Sequence, residues 1–153
     1  TTYDNRHLFR MAGEHHHYAA GADQTQLSID ELQLRPQICY DIRLPAWSRN
    51  TSGYDVLLYG ANWPVSRRQH WMTLLQARAI ENLSYVIAVN RVGKDGYSIE
   101  YAGDSCVIDP WGNYLLQMDA DESIGTVDLD LVSLRTYRES FPAHLDADVL
   151  DIR

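Results

Sequence analysis

"DVLLYGANWPVSRRQHWMTLLQARAIENLSYVIAVN", residues 55–90, decides the fold class. Its two ends, residues 55–59 and 85–90, are compact apolar runs of the kind that form strands buried on both faces. Between them Trp71, Leu74, Leu75, Arg78 and residues 80–83 recur at helical spacing. Ser66, just after Pro64, stands where it would cap a helix over residues 66–84. Strand, helix and strand in immediate succession make a βαβ unit, with a right-handed crossover and parallel neighbouring strands. The chain therefore reads as α/β.

Upstream, "LQLRPQIC" (32–39) alternates Leu32 and Leu34 with polar neighbours, and Pro36 argues against a central strand and for a start or bulge. Pro45 opens a short helix or turn over residues 46–52, ahead of Gly53. Downstream, the glycine-rich "RVGKDGYSIEYAGDS" (91–105) reads as a loop. "CVIDP" and "YLLQM" form a hairpin across the turn "DPWGN". "IGTVDLD" (124–130) has the period of a final strand, and "LVSLRTYRESF" (131–141) that of a short helix. Residues 1–25, with the histidine-rich "GEHHHYAAG", read as an exposed loop, and the acidic "AHLDADVLDIR" at the other end as peripheral. There is no repeat and no linker, so residues 1–153 are a single unit.

Composition narrows the function classes. A net charge of −8, with Arg67-Arg68 as the only basic pair, argues against a nucleic-acid partner. No apolar run is long enough for a membrane span, and no signal-peptide pattern is present. Of the 13 basic residues only Lys94 is a lysine. The two cysteines, Cys39 and Cys106, lack the spacing of a disulfide framework or zinc site, which points to a reducing cytoplasm. Three consecutive imidazoles in "EHHHY" cannot all face one ion, so no metal site is expected there. The chain opens at Thr1 without Met and reads as a piece of a longer protein.

A nucleophilic cysteine needs a way to its thiolate, an accessible seat and donors for an oxyanion. A strand end that runs into a tight turn supplies the seat and backbone N–H donors together. Cys39 sits where an apolar strand gives way to "YDIRLPAW", whereas Cys106 in "DSCVID" reads as core. Spacing alone leaves Cys39 open between an inert core thiol and a nucleophile.

"QICYDIRLPAWSRN" resembles the cysteine motif of the nitrilase superfamily of carbon-nitrogen hydrolases. "YDVLLYGANWP", "HWMTLLQARAIENLSYVIAVNRVG" and "YAGDSCVIDPWGN" agree with it in order and spacing, so the likeness runs from residue 3 to about residue 145. The opening "YDNRHLFRMAGEHHHYAAG" is similar to the omega-amidase branch, whose members hydrolyse the side-chain amide of small dicarboxylic monoamides such as 2-oxoglutaramate. The resemblance implies a four-layer α-β-β-α sandwich and a Glu-Lys-Cys triad, with no cofactor. It implies that this chain is the C-terminal portion of the domain, and that the N-terminal half with the triad glutamate lies outside it.

Carried over residue by residue, the resemblance makes Cys39 the nucleophile and Glu14 the auxiliary glutamate, and it puts Asn5 where the family has its catalytic lysine. Tyr40, Arg43, Asn62 and Trp63 become candidates for substrate binding. Arg43 suits a bidentate contact with a substrate carboxylate, or else an ion pair with Asp41. Lys94 is far along the chain from Asn5, and Arg6 points its side chain to the opposite face. Two functions follow as expectations. One is an amidase acting through a cysteine thioester on a small-molecule amide and forming homo-oligomers through sheet-flanking helices. The alternative is a catalytically silent fragment or degenerate homologue with an assembly or binding role, whose half sandwich leaves an apolar face exposed.

Overall fold

The computed structural model describes residues 1–148. A six-stranded sheet is its centre, in the order β1-β2-β3-β4-β7-β8. These strands are β1 (Leu27–Ile29), β2 (Leu32–Ile38), β3 (Val56–Ala61), β4 (Tyr85–Asn90), β7 (Cys106–Ile108) and β8 (Tyr114–Gln117). Strands β2, β3 and β4 are parallel, with Leu34 opposite Val56 and Leu57 opposite Val86. The outer strands β1, β7 and β8 run antiparallel to their neighbours.

The βαβ unit has the parallel strands that its sequence predicts. The 15-residue helix α2 (Arg68–Asn82) joins β3 to β4 and packs Trp71, Leu75 and Ala79 on Leu57, Tyr59, Val86 and Ala88. Ser66, however, caps nothing. It lies inside a 3-10 turn, Val65–Arg67, where Arg67 N–H reaches Pro64 O at 3.0 Å, so α2 opens only at Arg68. Short helix α1 (Pro45–Ser48) carries its proline at the first turn, as expected, and is shorter than predicted.

Pro36 neither starts β2 nor bulges it. Gln33 O accepts from Asp55 N at 2.7 Å, so by alternation the backbone nitrogen of Pro36 faces away from β3, toward β1. There β1 pairs only as far as Leu34, and the missing N–H has no ladder to break.

Two further expectations are corrected. The glycine-rich loop contains a small hairpin, β5 (Val92–Lys94) with β6 (Glu100–Ala102), because Asp95 Oδ1 accepts the N–H groups of Tyr97 and Ile99 and builds the turn from its side chain. Residues 124–130 form no strand. A Cβ at Gly125 would fall 2.4 Å from the Leu116 side chain of β8, and the segment pairs with no described strand. The hairpin β7–β8 is as predicted, its turn held by Asp109. The final helix α3 (Leu131–Ser140) buries Leu134 on the second face of the sheet. Residues 143–148 of the acidic C-terminal stretch are peripheral as expected, and its last five residues lie outside the described ones.

Covering is uneven. One face of the sheet lies under α2, while α3 reaches only the end of the other face near Leu34, Val56 and Tyr85. Toward the strands' C-terminal ends that second face leaves Ile38 at 38% and Val89 at 57% exposure. No described helix is long and apolar enough to cross a membrane.

Candidate active site

Parallel strands deliver their C-terminal ends to one edge, where loops are free to carry side chains. Cys39 follows β2, Asn62 follows β3, and the β5–β6 hairpin follows β4. A cavity of about 590 Å³ opens among them, and Cys39, Tyr40, Asn62, Asn5, Glu14 and Arg67 all line it.

Cys39 is the turning point of the chain. Its φ of 41° is left-handed, a conformation that strains a residue bearing a Cβ by about 1–3 kcal/mol. A 3-10 turn, Cys39–Arg43, starts there, and by geometry its opening amides have no partner within the turn. Buried Asp41 holds the strained corner shut. Its Oδ2 accepts Ile38 N–H at 3.0 Å, and Arg78 of α2 donates to the Ile42 carbonyl at 2.7 Å and 3.0 Å.

The same carboxylate positions the N-terminal segment. Tyr3 Oη donates to Asp41 Oδ2 at 2.6 Å, and the His7 N–H and Nδ1 lie 3.1 Å and 2.8 Å from Oδ1. Asn5, between these two anchors, is thereby carried to the cavity wall, and its carbonyl accepts from Gly21 N–H at 2.9 Å. Residues 1–25 are thus not simply an exposed loop. Tyr3, Asn5, His7 and Phe9 are half-buried, although His15, His16 and His17 do face solvent. Gly13, at φ 74°, joins two 3-10 turns and lets Glu14 Oε2 fold back onto Phe9 N–H at 2.7 Å.

Burial pushes the Cys39 thiol above its ordinary pKa, and the backbone N–H of Asn62 on the sulfur pulls it back. Glu14 and Asp41 add to the upward push, and the Arg67 charge opposes it. Asn62 is held there through its neighbour: Trp63 N–H donates to Asn90 Oδ1 at 2.7 Å, and Asn90 Nδ2 donates to the carbonyls of Trp63 and Gly103. The seat thus offers a partly shielded thiol with an N–H on its sulfur at the start of a 3-10 turn, which suits attack on a carbonyl carbon.

Arg43 and Trp63 stand apart from the main cavity. They line a recess of about 40 Å³ that also touches Cys39. The Arg43 guanidinium lies 4.8 Å over the Trp63 ring with Nη2 2.9 Å from His70 Nδ1, while Trp63 packs in the core against Trp71. Asp41 pairs with Tyr3, His7 and Ile38 and not with Arg43, so the ion pair considered from the sequence is absent. Lys94 pairs with Glu100 at 2.7 Å and does not line the cavity, and Arg6 faces away from it toward Trp47 and Gly21. Cys106 is core at 2% exposure.

Sequence reasoning missed Asp41 as the clamp, Asn90 as the support of the Asn62 turn, and Arg67 as a wall residue. A second cavity of similar volume, beside Asn90 and the acidic Asp119, Asp121 and Glu122, is lined by no cysteine.

A family model for carbon-nitrogen hydrolases matches residues 1–139. Omega-amidase YafV of Yersinia enterocolitica is 49% identical over 147 residues, which cover 95% of this chain and 57% of that protein. The 2-oxoglutaramate amidase of Bacillus subtilis (strain 168) is 40% identical over 146 residues, covering 94% of this chain and 56% of that protein. Among solved structures, XC1258 from Xanthomonas campestris, a CN-hydrolase superfamily protein with an arsenic adduct in its active site, matches with a TM-score of 0.96 and 43% identity. That match covers 99% of this chain and 60% of XC1258. The chain thus spans a little over half the length of these relatives.

Proposed function

From the premise that this chain belongs to the carbon-nitrogen hydrolase family, we propose that it carries the nucleophile portion of an amidase that cleaves the side-chain amide of a small omega-amido carboxylic acid, 2-oxo acids included. The observation that carries this reading is the joint presence of Cys39, Glu14 and Asn5 on one cavity, with the Asn62 N–H on the sulfur.

In the proposed reaction Cys39 Sγ attacks the amide carbon, and the amides that open the 3-10 turn receive the oxyanion. The tetrahedral species expels ammonia and leaves a thioester. Water then cleaves the thioester, releasing the acid and restoring the thiol. The general base and acid is a glutamate from the part of the domain outside this sequence, and Glu14 orients the groups around the sulfur. Asn5 gives the oxyanion a neutral donor where the family has a charged one, which lowers the rate by about 10²–10³. The apolar face around Ile38 and Val89 receives the second sheet of the sandwich. The reading extends to a cytoplasmic protein, in which both free cysteines stay reduced, and to homo-oligomers joined through sheet-flanking helices.

The test is ammonia release from succinamate and 2-oxoglutaramate by the protein in its complete form, beside Cys39→Ala. Turnover that vanishes in the variant supports the reading, and undiminished turnover overturns it.

A further inference from the structure

We propose that Arg67 is the anchor for the substrate's carboxylate and so selects monoamides of short dicarboxylic acids. The assignment rests on the amidase reading above and names the residue that gives it specificity.

Among the described residues Arg67 is the only cationic side chain lining the Cys39 cavity, and it lines the smaller recess beside Cys39 as well. It is also preorganised. The indole Nε1 of Trp63 donates to the Arg67 carbonyl at 2.8 Å, and the guanidinium lies 5.5 Å from the centre of the Phe9 ring. A cation over an aromatic face keeps its charge while its N–H fork remains directed outward.

The carboxylates of the cavity do not neutralise it. Glu14 Oε2 is taken up by Phe9 N–H, and Asp95 by the N–H groups of Tyr97 and Ile99 and by Tyr101 Oη. Arg67 forms no ion pair with any described residue. A half-buried guanidinium with no counter-ion, facing a cavity with a nucleophile, is a receptor for an anion that arrives with the substrate. Arg67 and Cys39 line both the large cavity and the 40 Å³ recess, so one small molecule can touch the two. A substrate that carries a carboxylate beside its amide would present one group to each. Arg43, the candidate that the sequence raises, shares the small recess but not the main cavity, and its guanidinium is held over Trp63 and beside His70.

The test needs no turnover. Iodoacetate and iodoacetamide alkylate a thiolate by the same step: sulfur bonds to the methylene carbon, the carbon-iodine bond breaks and iodide leaves, the thiol proton having gone to water. They differ in that only iodoacetate carries a carboxylate. The ratio of their rates at Cys39, read by peptide mass spectrometry, cancels any change in the thiol's own ionisation.

Arg67→Gln is expected to lower the iodoacetate-to-iodoacetamide ratio about tenfold. Arg67→Lys should keep part of it, and Arg43→Gln should leave it unchanged. A ratio that survives Arg67→Gln, or falls instead with Arg43→Gln, overturns the assignment. Slow labelling of Cys106 serves as the fold check for each variant, and Arg67→Lys carries the test if the glutamine variant unfolds. Loss of amidase activity with an intact alkylation ratio would count against the proposed function and leave this assignment standing.

Discussion

Cys39 and Cys106 are the same residue type, one just past a strand of the sheet and one within a strand, and burial pushes both thiols above their ordinary pKa, that of Cys106 to about 12. What separates them is the backbone. Cys106 is the first residue of β7, within the pleat and paired opposite Ala88 and Gln117, with its side chain in the core. Cys39 sits one residue past the end of β2, at φ 41°, with a cavity in front of it and an N–H on its sulfur. Reactivity here is a property of position, and that position is maintained by residues that never touch a substrate, Asp41 and Asn90 above all.

Three perturbations should act unequally on the two thiols. The largest effect is expected from Asn5→Lys, which restores a cation near the Cys39 sulfur and does nothing for Cys106. Succinamate turnover by the complete protein should rise about 10²–10³-fold, and the pH profile of Cys39 alkylation should move to lower pH. An unchanged profile would mean that position 5 does not face the nucleophile.

Asp41→Ala comes next. It strips partners from Tyr3, His7 and the Ile38 amide at a buried site, and should lower the unfolding free energy by about 3 kcal/mol in urea titration. Reactivity of Cys39 should change with it while that of Cys106 does not. A loss under about 0.5 kcal/mol, typical of surface substitutions, would mean that the clamp is not what holds the corner.

The smallest effect is the alkaline one. A thiol or phenol whose folded-state pKa is raised ionises first in the unfolded chain, so its stabilisation is complete below the unfolded value and drains away above it. For Cys106 the window runs from about pH 9 to about pH 12, and buried Tyr54 and Tyr59 act in the same direction. Thermal unfolding should therefore be level up to about pH 9 and then decline. A midpoint that rises between pH 9 and pH 11 would contradict the burial of these groups.

Much of this was legible in the sequence because it is local. The βαβ unit is a contiguous change of period from strand to helix and back, and the β7–β8 hairpin is marked by its turn residues. The N-terminal segment was not legible, since what orders it is Asp41 reaching Tyr3 and His7 across 38 and 34 positions. Pro36 misled because its effect depends on which neighbour ends first, and residues 124–130 misled because alternation alone does not make a segment hydrogen-bond to a neighbouring strand. Arg67 looked like half of a basic pair. Only the fold parts it from Arg68, which turns to Asp104 in a bidentate contact with both distances at 2.7 Å.

The proposed reaction makes the strand end at Cys39 the seat of covalent catalysis. Acid quenching of the protein in its complete form during succinamate turnover, followed by peptide mass spectrometry, tests it most directly. The account predicts an acyl thioester on the peptide that contains Cys39 and none on the peptide that contains Cys106. Ammonia accumulating while Cys39 stays free, or with the acyl group on another residue, would contradict it.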